Sequence, residues 1–506
     1  RGPSARADYK RVQFALARHP HDDPEKPELI EREYELATWL TAHAAEEPAV
    51  HEELEWGSEF SYGGAGPFRC GFLDEVEFTD YDEEPEENIE RILPALRATF
   101  TDTTARTLRL EDAYGAEVAG VVGDPVAAEL RGLSIEYISD DENAEAARAI
   151  ADSPHLTRLR RLDLEFPIED ADLKRLAKSA HLGGLEELRL DDIGPSGLKV
   201  LAAARWFRGL RVLKVSLSSK DALKAIGDLP PMPNLVSLTF TGGITPTAVG
   251  VRRFAASESF PRLARLEISY ARLMPEMVQA LARGGWPLRH LRLQSVEVRK
   301  AGAEALAGAA FAESLRVLDL RSCQITVGGV QSLAAAEKLS GLRHLHLGDN
   351  PIGVGGLKAL TRSRHLRGLR HLDLTGCGST KAAIDAAGML QFLSAIDMPD
   401  LRHLELDGLP VGVRGARVLA GGAFAGLTRL DLTNCGLKET GARAVVESAH
   451  LPDLVALNLT GNNAGKGVSK LASARTLPKL GYCGLYHNRV PSSAVSRLRK
   501  RPGMQI

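Results

Sequence analysis

The residues best suited to chemistry in this chain stand close together and recur in register. His344, His371 and His403 each take the third place of an L-R-H-L stretch, His290 holds the same place earlier, and His346 follows His344 by two residues. Asp373 and Glu405 lie two residues beyond His371 and His403. Neutral imidazoles beside carboxylates can hold Zn²⁺, and they can also form a patch whose charge changes near pH 6 to 7. The plainer reading is a duplicated consensus whose histidines face solvent. We adopt it here, with no metal and no cofactor expected.

Catalytic signatures are missing elsewhere. No serine sits in a nucleophile elbow, no H-E-x-x-H occurs, and no pair of carboxylates marks a pocket. The glycine-rich stretch from Ser61 to Pro67 lacks the Lys-Ser/Thr ending of a phosphate-binding loop and leads into no helical pattern. The expectation is therefore no catalytic residues and no enzyme.

Two charged columns accompany the histidines. Arg289, Arg316, Arg343, Arg370 and Arg402 each follow the first leucine of an L-x-x-L-x-L stretch, as Arg160 and Arg211 do earlier. The second column is mixed and leans acidic: Asp163, Glu165, Glu187, Asp319, Asp373, Glu405 and Asp431, against Arg161, Arg189, Arg292 and Arg321. Guanidinium groups about 4.8 Å apart repel unless paired, so pairing of the arginines with the acidic column is expected. Phe166, Tyr270, Tyr482 and Tyr486 are possible aromatic anchors, Tyr482 and Tyr486 being equally suited to sealing the end of the chain's fold.

The elements that must position these residues follow from one spacing. LRVLDL at Leu315, LRHLHL at Leu342 and LRHLDL at Leu369 open three copies 27 residues apart. Alternation in L-x-x-L-x-L places the last two leucines on one face of a short strand. The second half of each copy is helical; in the first copy Val330, Leu333 and Ala334 have the spacing of a buried helix face. One such unit cannot bury its own apolar side, so copies must stack. Counting degenerate openings at Leu73, Ala105 and Leu130, and then thirteen more from Leu159 to Leu480, gives 16 copies. Eight residues after the first leucine stands Cys323, Cys377 or Cys435 in some copies and Asn350, Asn462 or Asn488 in others. A small side chain there is expected to donate to the backbone of the next coil.

Residues 1–70 are different in kind. Ala7 to Arg18 and Glu28 to Ala45 read as helices separated by a proline-rich break, and residues 71–506 form the repeat array, closed by a basic cap from Ser493 to Arg501. The formal net charge of −3 implies no bulk attraction to nucleic acid or anionic membrane. No apolar run approaches the roughly 18–20 residues that span a bilayer. Five cysteines without metal-ligand or redox spacing suit a reducing compartment, so a cytoplasmic location is expected. The chain opens at Arg1 without an initiator methionine, which reads as a missing first segment.

On these motifs the array resembles the ribonuclease-inhibitor class of leucine-rich repeats. The opening segments RADYKRVQFALAR, ELIEREYELATWL and FRCGFLDEVEF resemble a bacterial repeat-companion domain lacking its first helices. The resemblance implies an α/β solenoid, a right-handed horseshoe with a parallel concave sheet and convex helices. From the varied residues on that sheet and the lack of catalytic motifs we expect a non-enzymatic scaffold that binds a protein partner there. Tyr270, Arg292, Arg321, His344, His346, His371, Asp373, His403, Glu405, Asp431, Tyr482 and Tyr486 are the expected contact residues. The alternatives are an assembly subunit that uses its edges and N-terminal domain, and a regulator of an enzyme encoded elsewhere.

Overall fold

A computed structural model of the chain describes residues 68–69, 72–73, 75–79, 85–102, 106–136, 142–378, 383–472 and 477–498. The helices expected at 7–18 and 28–45, and the division near residue 70, lie outside these residues. The chain divides into two compact units, 1–266 and 267–506.

In both units short strands alternate with helices, and strand order is chain order. Each expected opening produces a strand two residues after its first leucine, from Glu75–Thr79 through Arg161–Pro167 and His344–His346 to Tyr482–Gly484. In the second unit the pairing is parallel and in register: Leu318 lies beside Leu345, Leu345 beside Leu372, Leu372 beside Leu404 and Leu404 beside Leu430. All five are buried. Burying one such side chain contributes about 1.5–3 kcal/mol relative to leaving it exposed. A single strand and helix could not enclose this row. A short antiparallel pair, Phe68–Arg69 with Phe72–Leu73, precedes the first parallel strand and has no counterpart in the sequence reading.

The helices cover the leucine row. Val327–Ala335 buries Val330, Leu333 and Ala334, the face expected from their spacing, and Gly353–Arg362 buries Leu357 and Leu360. Gly329 and Gly356 occupy equivalent places in these two helices. A Cβ at Gly329 would meet Ile325 at 2.9 Å, and one at Gly356 would meet Ile352 at 2.9 Å. Each helix thus needs a residue without a side chain where it crosses its own strand turn. None of the described helices is long and apolar enough to cross a membrane.

At the turn out of the strand, Asn350 is fully buried. Its Oδ1 accepts from the backbone of Cys323 (3.0 Å) and Ile325 (2.8 Å), and its Nδ2 donates to the carbonyls of Leu320 (2.7 Å) and Leu347 (2.8 Å). Asn462 repeats the pattern on Cys435, Leu437, Leu432 and Leu459. The thiols of Cys377 and Cys435 donate to Leu347 and Leu406 (3.1 Å each), and that of Cys323 donates to Leu293. Apart from the bonds of Asn350 to Leu347 and of Asn462 to Leu459, which stay within one coil, these partners belong to the preceding coil, not the next one as the sequence suggested. The parallel ladder explains the direction. Leu320 turns both its N–H and its carbonyl toward the following repeat, its N–H donating to His346. The carbonyl therefore waits for a donor from that repeat. All four described cysteines are free and buried, and burial pushes the thiols of Cys323 and Cys377 up to about 12.

Asn350→Ala should leave the Cys323 and Ile325 amides and the Leu320 carbonyl without partners. At about 1–3 kcal/mol for each buried unpaired group, we expect a loss of roughly 3 kcal/mol or more in urea unfolding, with faster hydrogen exchange at Cys323 and Ile325. A change below about 1 kcal/mol would contradict this account of the turn.

Candidate functional site

Because the leucines take one face of each strand, the alternate residues line the opposite, open face. Two rows result in the second unit. The third positions place His290, Val317, His344, His371, His403 and Arg429 side by side, and the fifth positions place Arg292, Asp319, His346, Asp373, Glu405 and Asp431 side by side.

The fifth-position row is built on Asp319, which is buried. It accepts from Arg292 Nε at 2.7 Å and from Arg321 Nη2 at 2.7 Å, as well as from the Arg321 backbone N–H at 3.1 Å. Burial alone would raise its carboxyl. The hydrogen bonds from Arg321 and the charges around it outweigh burial and hold it well below the usual carboxylate range. Breaking such a buried pair by removing one partner costs about 3–5 kcal/mol. Asp319 stood in the acidic column but was not among the expected contact residues. The 27-residue register that aligns it between Arg292 and His346 is the signal that would have found it.

Farther along the row, His346 Nδ1 lies 3.6 Å from Asp373 Oδ2, and His371 Nε2 lies 2.8 Å from Glu405 Oε1. Asp373 also accepts from the Thr375 N–H at 2.9 Å. Burial works against ionisation of Asp373, but His346 and Thr375 hold its carboxyl low. His371 does the same for Glu405. Burial pushes the His346 imidazole below its ordinary value, with Asp373 opposing. The rings of His344 and His403 meet His371 edge-on, with centroids 5.7 and 5.2 Å apart, and His346 meets it at 4.5 Å.

Several expectations change here. The histidines are less solvated than expected: His403 is 5% exposed, and His344, His346 and His371 are half-buried with their rings in contact. Strands about 4.8 Å apart bring consecutive imidazoles within van der Waals reach. Asp373, an expected contact residue, is 1% exposed and so offers a partner almost no surface. Phe166 is 2% exposed and belongs to the core. Four arginines of the column reach backbone carbonyls. Arg160, Arg343 and Arg402 donate to the carbonyls of Gly184 (3.0 Å), Gly368 (3.1 Å) and Gly426 (3.2 Å), and each of these glycines immediately precedes the first leucine of the following repeat. Arg160 additionally reaches Glu186 at 3.3 Å. Arg316 donates instead to the Leu315 carbonyl at 2.9 Å.

The structure thus brings Arg292, Arg321, His344, His346, His371, Asp373, His403 and Glu405 into one polar strip. Asp431 extends it, accepting from Thr433 and Asn458. The tyrosines stand apart from this strip. Tyr270 (59% exposed) follows the strand Arg265–Ser269, and Tyr482 (37%) and Tyr486 (75%) lie at the last strand. Tyr486 stacks edge-on against His487 at 4.6 Å and does not seal the final coil.

The first unit holds a feature that the sequence reading missed. Glu136 and Glu165 are register partners on adjacent strands. Arg109 reaches Glu136 at 2.5 Å, and Arg189 pairs with Glu165. Burial, with the neighbouring Glu136, pushes Glu165 up to about 7 despite Arg189. Acids at the seventh position of three successive repeats, Glu136, Glu165 and Asp191, were the available signal.

Residues 312–334 and 340–360 match the family model described as Leucine Rich repeat. Those two stretches match as leucine-rich repeats. No curated protein matches the sequence. Among solved structures, the chain is similar to the crystal structure of the Rad7 and Elc1 complex in yeast, at 18% identity over 72% of this chain and 92% of that one, with a TM-score of 0.39. It is also similar to a protein from Bacteroides fragilis, at 16% identity over 60% of this chain and 75% of that one, TM-score 0.30. A leucine-rich repeat protein from Bacteroides eggerthii shares 11% identity over 75% of this chain and 61% of that one, TM-score 0.23.

A carboxyl whose folded pKa is raised binds its proton more tightly when folded, so its contribution is present below the unfolded value and lost as pH rises. For Glu165 the window runs from about 4.5 to about 7. Glu165→Gln should therefore gain thermal stability relative to the parent as pH rises from 4.5 to 7. A difference that stays flat across that window would contradict the raised carboxyl.

Proposed function

We propose that the chain is a non-enzymatic scaffold that binds a protein partner on the open face of its second unit. The observation that carries this reading is the exposure of Tyr270, Tyr482 and Tyr486 around a strip whose charges are already paired. Tyrosine buries much area at low conformational cost and is a frequent energetic centre of interfaces. Locked side chains such as Arg292, Asp319 and Arg321 lose little freedom when a partner arrives. The paired strip supplies shape and register, and the tyrosines supply area. Four free, buried thiols among the described residues fit a reducing, cytoplasmic setting.

This assignment moves the energetic weight from the carboxylates to the aromatic side chains. Reversing Asp373 would place a cation in a buried site, so loss of binding in that variant would report misfolding. The informative variant is Tyr270→Ala with Tyr482→Ala and Tyr486→Ala. Against the partner captured by the full chain, it should weaken binding at least about tenfold while leaving the melting temperature unchanged. Undiminished binding by that variant would exclude this face as the contact surface.

A further inference from the structure

One ring nitrogen from each of His344, His346 and His371 lies within 4.8 Å of the other two. Two adjacent strands supply all three. His344 and His371 are register partners in the third-position row, and His346 leans onto His371 from the fifth-position row. From this geometry we infer a site for one divalent transition cation of the zinc class, held by the imidazoles of His344, His346 and His371 with the Glu405 carboxylate at its edge.

The donor set selects the cation class. Imidazole nitrogens suit zinc, nickel, cobalt and copper, whereas calcium and magnesium require oxygen ligands. Bonds of 2.0–2.1 Å in a tetrahedral site place nitrogens about 3.3 Å apart, so loading draws the rings together by up to about 1.5 Å. That is within the range of side-chain rotation, and no strand need shift.

The surroundings orient two of the three ligands. Glu405 lies 2.8 Å from His371 Nε2, and Asp373 lies 3.6 Å from His346 Nδ1. A proton donated from Nε2 of His371 to Glu405 puts the lone pair on Nδ1, and a proton on Nδ1 of His346 puts its lone pair on Nε2. A carboxylate behind a ligating histidine fixes the tautomer in this way and raises ligand basicity. Charge also favours a cation. Asp319, Asp373, Glu405 and Asp431 outnumber Arg292, Arg321 and Arg429 by one when the imidazoles are neutral. Arg321, whose field reaches Asp373 and Glu405, is itself held on Asp319. Where the sequence reading expected solvated histidines, the structure holds them half-buried in one cluster.

This inference does not depend on the partner reading, and its test reads metal rather than binding of a protein. The full chain is stripped with chelator and titrated with Zn²⁺ by calorimetry, and with Co²⁺ by visible absorption. We expect one cation per chain and the strong absorption of four-coordinate Co²⁺. His346→Ala and His371→Ala should each weaken uptake by about 100-fold or more, Glu405→Gln by about 10–100-fold, and His450→Ala, at an exposed site, not at all. Circular dichroism checks each fold. If an alanine variant unfolds, the Glu405→Gln titration and its Co²⁺ spectrum decide. Absence of stoichiometric uptake by the parent chain overturns the proposal. So does uptake that survives in the cluster variants, or that is lost equally in His450→Ala.

Discussion

The structure depends on one constraint: no repeat can cover its own leucines, so each must stack in register on the next. Leu318, Leu345, Leu372, Leu404 and Leu430 form a buried row only because the strands that carry them pair residue for residue. The same pairing governs the open face. Whatever occupies the third or fifth place of one repeat meets the same place of its neighbours at about 4.8 Å. Apolar side chains gain from this arrangement, and charged ones must resolve it.

The chain resolves it in four ways. Arg292, Asp319, His346 and Asp373 alternate in sign or charge along their row. Glu136 and Glu165 stand side by side, and Glu165 holds its proton to higher pH than an isolated carboxylate does. His344, His371 and His403 turn their rings edge to face. Arginines of the column turn aside and donate to backbone carbonyls just before the next repeat opens, as Arg343 does to Gly368. Each solution reduces like-charge repulsion, and each also fixes side-chain positions. A surface made this way is ordered before it meets a ligand, and that links the partner reading to the metal inference.

The repeats themselves were legible because leucine spacing is a strong signal that survives in a single sequence. Strands such as Val317–Asp319 and His344–His346 begin where L-x-x-L-x-L places them. The direction in which Asn350 reaches was not legible, since it depends on which neighbour the Leu320 carbonyl faces in the ladder. Burial of Asp373 and His403 was missed for a related reason. Period-two alternation assigns a residue to a face but does not show how much adjacent strands cover it. Asp319 illustrates the gap best. It reads as one acid among many, and its importance appears only once Arg292 and Arg321 converge on it.

The central claim is that the histidine–carboxylate strip of the second unit is largely buried and paired before any ligand arrives. An NMR titration of the His346 imidazole in the chelator-treated chain tests it most directly. The account predicts a midpoint below the ordinary imidazole value of about 6.5, because burial disfavours the charged ring more than Asp373 restores it. A midpoint at or above that value would mean an open, solvated ring and would contradict the account.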